Sequence, residues 1–336
     1  MIGRGCLRVA VAGALVLGCK SSADQPPAPV GTAAGKAIVA AMAAAEQVRA
    51  PWRCAATSDG AMTGTVGDGE RAWRRDGREL HATRTKLVIA AVAQARGARI
   101  GDGLRAAMAA EHPDVVVAVG GMGMAQDELE KALGGLTVPG AIVIALPGDS
   151  ESWPALQAAV EHLAAGGAAI VDGGAVRVID AGVARMVTLP GLAQAGQLGA
   201  GPDGCVHDGE DVAEVVATLA GTADDAARIV VGPRAPQGEA AVASGDHDSV
   251  AGIHAGDPAL TTALMSAKLT LTIHGLVDGA PTAGAAPTGA GTVIAAGSLD
   301  PAPRWTTDGR PLRASVTIAT VDERGVRWRS LAADAW

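Results

Sequence analysis

Continuous apolar runs that alternate with amphipathic stretches constrain the fold of this chain more than any other feature. Residues 114–119 (DVVVAV) and 141–146 (AIVIAL) contain one polar side chain between them, Asp114. Such runs are typical of strands that are buried on both faces of a sheet. The stretch between them, 125–133, has helical periodicity, and residues 152–165 are predicted to form a second helix. Strands and helices in this alternation indicate a layered α/β protein.

The same reading extends along the chain. We predict a first strand at 52–58, a polar, glycine-rich loop to about residue 85, and helical structure over 86–111 with a break at 101–103. Further helices are predicted at 211–219 and 258–266. Short strands are predicted at 168–171, 175–179, 184–189, 228–231, 269–273, 292–295, 314–319 and 326–330.

The N-terminus has the features of a secretory signal. A short basic start with Arg4 and Arg8 precedes an apolar run, 9–17, which is too short to span a bilayer permanently. The run ends in LVLGC, residues 15–19, which resembles the lipobox of bacterial lipoproteins. The resemblance implies cleavage before Cys19 and acylation of Cys19, and Lys20 at the next position favours the outer membrane. The alternative is an ordinary secretory signal or a short N-terminal anchor in which Cys19 is incidental.

We therefore predict three segments: a signal peptide at 1–18, a flexible tether at 19–36 and a folded domain at 37–336. The tether sequence, KSSADQPPAPVGTAAGK after Cys19, is rich in small residues and proline and poor in large apolar ones. The domain is long enough for one core. That core is built without Phe or Tyr, since the chain has neither. The predicted location is the cell envelope, with the protein lipid-anchored in the outer membrane and facing the periplasm.

Charge and cysteine usage narrow the function classes. The formal net charge is −8, and an acidic chain without a basic stripe argues against nucleic acid as a partner. Of the four cysteines, Cys6 would leave with the signal and Cys19 would carry lipid. Cys54 and Cys205 remain, either as a disulfide or as two buried free thiols.

Three loops that follow predicted strands carry the chemistry: 57–61 (TSDGA), 119–123 (VGGMG) and 146–151 (LPGDSE). Their order and spacing resemble the calcineurin-like metallophosphoesterases, whose pattern is D-x-H, then G-D, G-N-H-(D/E), H and G-H-x-H. The sequence around the family's motifs is also resembled, by segments 112–120 (HPDVVVAVG), 228–236 (RIVVGPRAP) and 271–278 (LTIHGLVD). The resemblance implies an α/β sandwich of two mixed β-sheets flanked by helices.

The family's metal ligands are mostly replaced in this chain. Members of the family hold two metal ions that clamp a phosphate, which requires a shared carboxylate between the ions. Carried over onto this sequence, the pattern leaves Gly121 at the position of that bridging carboxylate. It retains the acids Asp59 and Glu151 and replaces the Asn and His of its third motif by Asp149 and Ser150. Other ligand positions carry Ala61, Pro233, Leu276 and Asp278.

These replacements lead to a first hypothesis, a catalytically degenerate binding or scaffold protein with no catalytic residues. The second is a metal-dependent phosphoesterase with an unorthodox, oxygen-rich site built on Asp59, Asp149, Glu151 and Asp278, which would suit one divalent cation such as Ca²⁺, Mg²⁺ or Mn²⁺. The third is an envelope interaction protein that shares only the fold. The expected partners are the membrane, through the lipid anchor, and an envelope protein or phosphorylated ligand.

Overall fold

The computed structural model describes residues 51–56, 62–193, 198–236, 258–275, 283–285, 291–300, 304–305 and 311–332. The chain divides into two units, Met1–Arg49 and Ala50–Trp336, and all described residues belong to the second. The signal, the tether and Cys19 lie outside the described residues. Within the described part of the chain, no helix is both long and apolar enough to cross a membrane.

Twenty strands and five α-helices are described. The strands are β1 (Trp52–Arg53), β2 (Thr63–Val66), β3 (Trp73–Asp76), β4 (Glu79–Arg84), β5 (Lys86–Ala93), β6 (Val115–Val119), β7 (Ile142–Leu146), β8 (Ile170–Asp172), β9 (Val178–Gly182), β10 (Ala184–Thr188), β11 (Cys205–Val206), β12 (Ala227–Gly232), β13 (Leu271–His274), β14 (Ala283–Ala285), β15 (Thr292–Ala295), β16 (Gly297–Ser298), β17 (Arg304–Trp305), β18 (Pro311–Leu312), β19 (Ser315–Asp322) and β20 (Gly325–Ala332). The helices are α1 (Asp102–Ala110), α2 (Gln126–Gly135), α3 (Trp153–Ala165), α4 (Gly209–Ala220) and α5 (Pro258–Ser266).

Two large mixed sheets contain most of these strands. The seven-stranded sheet has the order β20-β19-β5-β6-β7-β8, with β16 added beside β5, and the nine-stranded sheet has the order β14-β15-β13-β12-β10-β9-β4-β3-β2. Strands β5, β6, β7 and β8 run parallel, as do β10, β12, β13 and β15. The predicted architecture of two mixed β-sheets flanked by helices is confirmed.

Three hydrophobic clusters hold the layers together. One fills the space between the sheets and includes Ile89, Val117 and Ile144 from one sheet with Met186 and Ile273 from the other. A second packs α1, α2 and α3 on the outer face of the seven-stranded sheet. A third packs α4 and α5 on part of the nine-stranded sheet. The middle strands of the seven-stranded sheet are thus covered on both faces, which is why their sequences are continuous apolar runs.

Three local predictions are wrong. Residues 86–93 form β5, a fully enclosed central strand, rather than a helix; its three alanines favour helix, but burial on both faces decides. In the described part of the predicted strand 52–58, only the two-residue β1 is a strand; it pairs with β11 and leads into a 3₁₀ turn at Cys54–Ala56. The predicted loop before residue 85 contains β2, β3 and β4. β3 and β4 carry charged residues at most of their less buried positions, and β2 is TGTV, so the sequence shows little apolar signal there.

Candidate functional site

Three loops meet where β5, β6 and β7 end. The backbone N–H of Gln94, just after β5, donates to the carbonyl of Gly120 at 3.0 Å, and the N–H of Arg96 donates to the carbonyl of Gly121 at 2.9 Å. The N–H of Gly120 in turn donates to the carbonyl of Leu146 at 3.1 Å. Because the carboxyl ends of parallel strands lie at one edge of a sheet, this is where an α/β protein places ligands.

The loops approach one another so closely that only glycine fits. A Cβ atom added to Gly121, whose φ is +70°, would lie 2.9 Å from the Cα of Gln94. A Cβ added to Gly120 would lie 2.9 Å from the Cα of Gly148, and one added to Gly148 would meet Gly120 at the same distance. Backbone therefore occupies the space into which a side chain at position 121 would extend.

The side chain of Glu151 connects two of these loops through hydrogen bonds. Its side chain is fully buried; one oxygen accepts a hydrogen bond from the N–H of Met122 and the other accepts from the N–H of Gly148 at 2.8 Å. Burial raises the pKa of Glu151 to about 7, against the opposing effect of those two donors. Both carboxyl oxygens are thus committed to the backbone of the loops after β6 and β7.

The nine-stranded sheet reaches the same place through β12 and β13. Gly275, directly after β13, donates its N–H to Gly232 at 3.1 Å. A Cβ on Gly275 would lie only 1.9 Å from the carbonyl oxygen of Val119 at the end of β6, and one on Gly120 would lie 3.6 Å from Pro233. The carboxyl ends of strands from both sheets therefore meet here. His274, just inside this junction, is fully buried, and that burial lowers its pKa to about 4.

A cleft of about 430 Å³ opens beside these loops. Its lining includes Gln94, Arg96, Met124, Asp149 and Ser150. Arg96 is 61% exposed and forms a 3.1 Å ion pair with Asp300, whose side chain is buried. The hydroxyl of Ser298 donates to the side-chain oxygen of Gln94 at 3.2 Å. The cleft therefore places guanidinium, amide and hydroxyl groups next to two carboxylates, the partly exposed Asp149 and the exposed Glu128.

The predicted site residues are distributed as follows. Asp149 lines the cleft, and Glu151 lies beneath it. Asp59 and Asp278 lie outside the described residues, so their part of the oxygen-rich site stays a prediction. Among the described residues, no group of three or more His, Cys, Asp or Glu side chains has the proximity needed to hold a metal ion. Cys54 and Cys205 form a disulfide with Cα atoms 5.6 Å apart.

Sequence reasoning missed Gln94 and Arg96. Since β5 is the central strand next to β6, the loop after β5 takes the position that the sequence analysis gave to residues 57–61. Both residues have left-handed backbone, with φ of 59° and 48°, which non-glycine residues adopt mainly at tight turns or functional sites. The signal that would have found them is the apolar run LVIAAVA ahead of a polar pair, which is as strand-like as the two runs after it.

The chain was compared with known proteins at three levels. No family model matches the sequence, and no curated protein matches it. One solved crystal structure has 12% identity and a TM-score of 0.52 over 74% of this chain and 99% of that chain. GAP50, the anchor in the inner membrane complex of Plasmodium, has 10% identity and a TM-score of 0.48 over 75% of this chain and 86% of that chain.

A dimetal phosphatase from Danio rerio has 12% identity and a TM-score of 0.44 over 73% of this chain and 98% of that chain. At these identities the likenesses concern the fold alone. The chemistry of this chain has to be argued from its own residues.

Proposed function

We propose that this chain is a lipid-anchored envelope protein with a calcineurin-like metallophosphoesterase fold, whose catalytic site has degenerated into a binding or scaffold site. The family assignment is supported by the loops that carry the sequence resemblance. Those after β6, β7, β12 and β13 all meet at one junction, through contacts of Gly120, Gly148, Pro233 and Gly275. Such convergence is what the family's ordered motifs require of a shared site.

The close approach of Gly121 to Gln94 carries the argument for degeneracy. A pair of metal ions needs a bridging carboxylate between them, and Gly121 has no side chain. Backbone of the loop after β5 lies 2.9 Å from where its Cβ would be. Arg96, which pairs with Asp300 at 3.1 Å, also lines the cleft, and a guanidinium has no lone pair with which to ligate a metal ion. The oxygens of Glu151 are already hydrogen-bonded to backbone.

What remains in the cleft suits an anionic or hydrogen-bonding partner. The guanidinium of Arg96 is more than half exposed even though it pairs with Asp300. A planar guanidinium is well suited to phosphate and carboxylate groups, which it contacts through two parallel hydrogen bonds. Gln94 and Ser150 add neutral polar groups on the same wall. Glu128 and Asp149 line the cleft as well, so the partner that this lining favours is an envelope protein or a phosphorylated ligand that offers hydrogen-bond donors beside its anionic group.

The phosphoesterase alternative rests on the carboxylate of Asp149, which lines the cleft. The discriminating assay is hydrolysis of bis(p-nitrophenyl) phosphate by the full-length protein with Mn²⁺, Mg²⁺ or Ca²⁺. We expect no turnover above buffer with any of the three ions. Metal-dependent turnover that is lost in Asp149→Asn and kept in Asp68→Asn, an acid far from this cleft, would refute degeneracy and establish the alternative.

Partner binding is tested separately. We expect Arg96→Gln to abolish capture of the native envelope partner in photo-crosslinking from position 124, next to the cleft, while Arg74→Gln, an exposed arginine on β3, leaves it unchanged. A partner crosslinked equally well to both variants would place the interaction elsewhere and favour the plain interaction protein.

The anchor is tested on whole cells. With Cys19 as the acylated residue, labelled palmitate is incorporated and the protein partitions into the detergent phase of Triton X-114. We expect Cys19→Ser to lose both properties and Cys6→Ser to keep them, since Cys6 would be removed with the signal. Retention of the label by Cys19→Ser would exclude the lipoprotein assignment, and fractionation of the outer membrane tests the location.

A further inference from the structure

A second cavity lies at the opposite edge of the seven-stranded sheet. It has a volume of about 430 Å³, and its lining includes Gly67, Arg71, Arg105, Thr137, Gly140 and Gly167. Ile142, the first residue of β7, also lines it, whereas the cleft described above lies beyond the last residue of that strand. A five-residue strand spans about 16 Å, so the two spaces are separate.

Two arginines from different parts of the fold meet at this cavity. Arg71 comes from the connection between β2 and β3, and Arg105 comes from α1. Both contact the short segment that enters β7. Arg105 donates from Nη2 to the carbonyl of Thr137 at 3.0 Å, and a Cβ on Gly140 would lie 3.1 Å from Nη1 of Arg71. Both guanidinium groups therefore lie along four residues of one wall.

Each arginine is held in position and still has donors to spare. Nη2 of Arg71 donates to the carbonyls of His112 and Pro113, at 2.9 and 2.8 Å, and to the carboxylate of Asp114 at 2.8 Å. Among the described residues, its Nη1 has no acceptor, and Arg105 has none beyond Thr137. Fixed guanidinium groups of this kind lose little freedom when they bind an anion.

The remaining lining leaves room for a ligand. Gly167 has a φ of +89°, and a Cβ added there would meet nothing within 4 Å, so this position faces open space. Asp68 is the one acidic residue of the lining and is exposed. Asp114, which forms the ion pair with Arg71, is buried and accepts a hydrogen bond from the N–H of Val88. Arg105 has no carboxylate partner among the described residues.

From this arrangement we propose that the Arg71–Arg105 cavity binds a small molecule through a phosphate or carboxylate group, which the two guanidinium groups would grip from one wall. A charge-assisted hydrogen bond contributes more than a neutral one, and its loss corresponds to a weakening of about tenfold or more. The site is independent of the cleft beside Arg96 and of the function proposed for it.

The test is calorimetric titration of the full-length protein in detergent with inorganic phosphate and, separately, with acetate, at constant ionic strength. For at least one of the two anions we expect a binding event that is weakened about tenfold in Arg105→Gln, unchanged in Arg74→Gln and retained in Arg96→Gln. Gly167→Asp should weaken binding about tenfold relative to Gly167→Asn, because the two differ in charge but both tolerate a left-handed backbone.

Three results would overturn the proposal. The first is no binding of either anion up to about 10 mM, where even a weak site of this kind would be detected. The second is binding that Arg105→Gln leaves intact. The third is binding that is lost in Arg96→Gln and kept in Arg105→Gln, since the anion would then occupy the other cleft. Circular dichroism of each variant establishes that it is folded.

Discussion

The carboxylate of Glu151 accepts a hydrogen bond from the backbone N–H of Met122, a residue 29 positions earlier in the chain. This bond, with the one from Gly148, ties the loop after β6 to the loop after β7. A group that would be read from sequence as a candidate ligand thereby takes part in building the loops of the cleft. Because this carboxyl group is buried, the free energy of unfolding depends on its protonation state.

We expect Glu151 to make the protein more stable in mild acid than in mild base. The folded state raises its pKa from the ordinary 4.5 to about 7, so folding favours the protonated form. Its contribution is complete below about pH 4.5 and is lost as the pH rises through about 7, a difference of about 3 kcal/mol. The measurement is the difference in the free energy of unfolding by urea between the wild type and Glu151→Gln from pH 4.5 to 8, in which the opposing titration of His274 is common to both.

Glu151→Gln should remove that slope. The amide does not titrate, so the difference between variant and wild type should change by about 3 kcal/mol across this range. The variant also leaves one backbone N–H without its acceptor, which costs about 1–3 kcal/mol at every pH. A difference that stays constant from pH 4.5 to 8 would contradict the assignment.

His274 should have the opposite pH dependence. Its pKa falls from the ordinary 6.5 to about 4 in the folded protein, so folding favours the neutral ring. Its contribution is complete above about pH 6.5 and is lost as the pH falls towards 4. We expect the free energy of unfolding of Glu151→Gln to fall with acidification between pH 6.5 and 4.5, and this fall to disappear when His274→Gln is added.

In the wild type these two residues oppose each other. Between pH 4.5 and 6.5, Glu151 favours the folded state as the pH falls and His274 disfavours it, so their contributions largely cancel. A single His274→Gln variant that showed no gain of stability on acidification would argue against the raised pKa of Glu151.

Substitution of Gly121 should be costly. Gly121→Ala places a Cβ 2.9 Å from the Cα of Gln94 on a residue with φ of +70°, which combines steric overlap with left-handed strain. We expect a loss of about 2–4 kcal/mol in the free energy of unfolding. Gly103→Ala, in α1 with nothing within 4 Å of the new atom, should instead stabilise the protein by about 1 kcal/mol.

Gly121→Asp extends the same argument to chemistry. Restoring an acid at the position of the family's bridging ligand should destabilise the protein as Gly121→Ala does and should not create Mn²⁺-dependent hydrolysis. Thermal unfolding with and without Mn²⁺ measures the stability and any ion binding, and hydrolysis of bis(p-nitrophenyl) phosphate with Mn²⁺ measures turnover. A large stabilisation of Gly121→Asp by Mn²⁺, absent in Gly121→Ala, would show that the loop can open to admit an ion.

Removing the disulfide should lower stability. Cys54 and Cys205 are 151 residues apart in sequence, so the bond closes a long loop in the unfolded chain. We expect the Cys54→Ala, Cys205→Ala double variant to lose about 3–5 kcal/mol. A matched loss in the wild type under dithiothreitol, and none in the double variant, would confirm that the bond is the cause.

The sequence predicted the layers better than it predicted the site. β6 and β7 are enclosed strands of branched residues, and their burial is legible as unbroken apolar runs. β5 is equally enclosed, but its alanines resemble helix until a neighbouring strand is known. Because residues 86–93 were predicted to be helical, Gln94 and Arg96, which follow β5, were left out of the predicted site.

The backbone contacts of the site were beyond sequence. Gly120, Gly121 and Gly148 are visible as glycines, but their distances to one another depend on how three loops from separate strands pack. Likewise, nothing in the sequence distinguishes the buried Glu151 from the partly exposed Asp149 two residues earlier. Glu151, which joins two loops through hydrogen bonds, differs from Asp149, which could bind a ligand, in burial and hydrogen bonding and not in the type of side-chain group.

The Cys54–Cys205 bond also determines how the domain would bear a mechanical load. Strand β1 is only two residues long, and its pairing with β11 could be peeled apart by tension on the preceding chain one hydrogen bond at a time. The disulfide is at Cys54, the residue after β1, and would stop the separation of the two strands there. Tension arriving from the N-terminal side would then pass through the disulfide into β11.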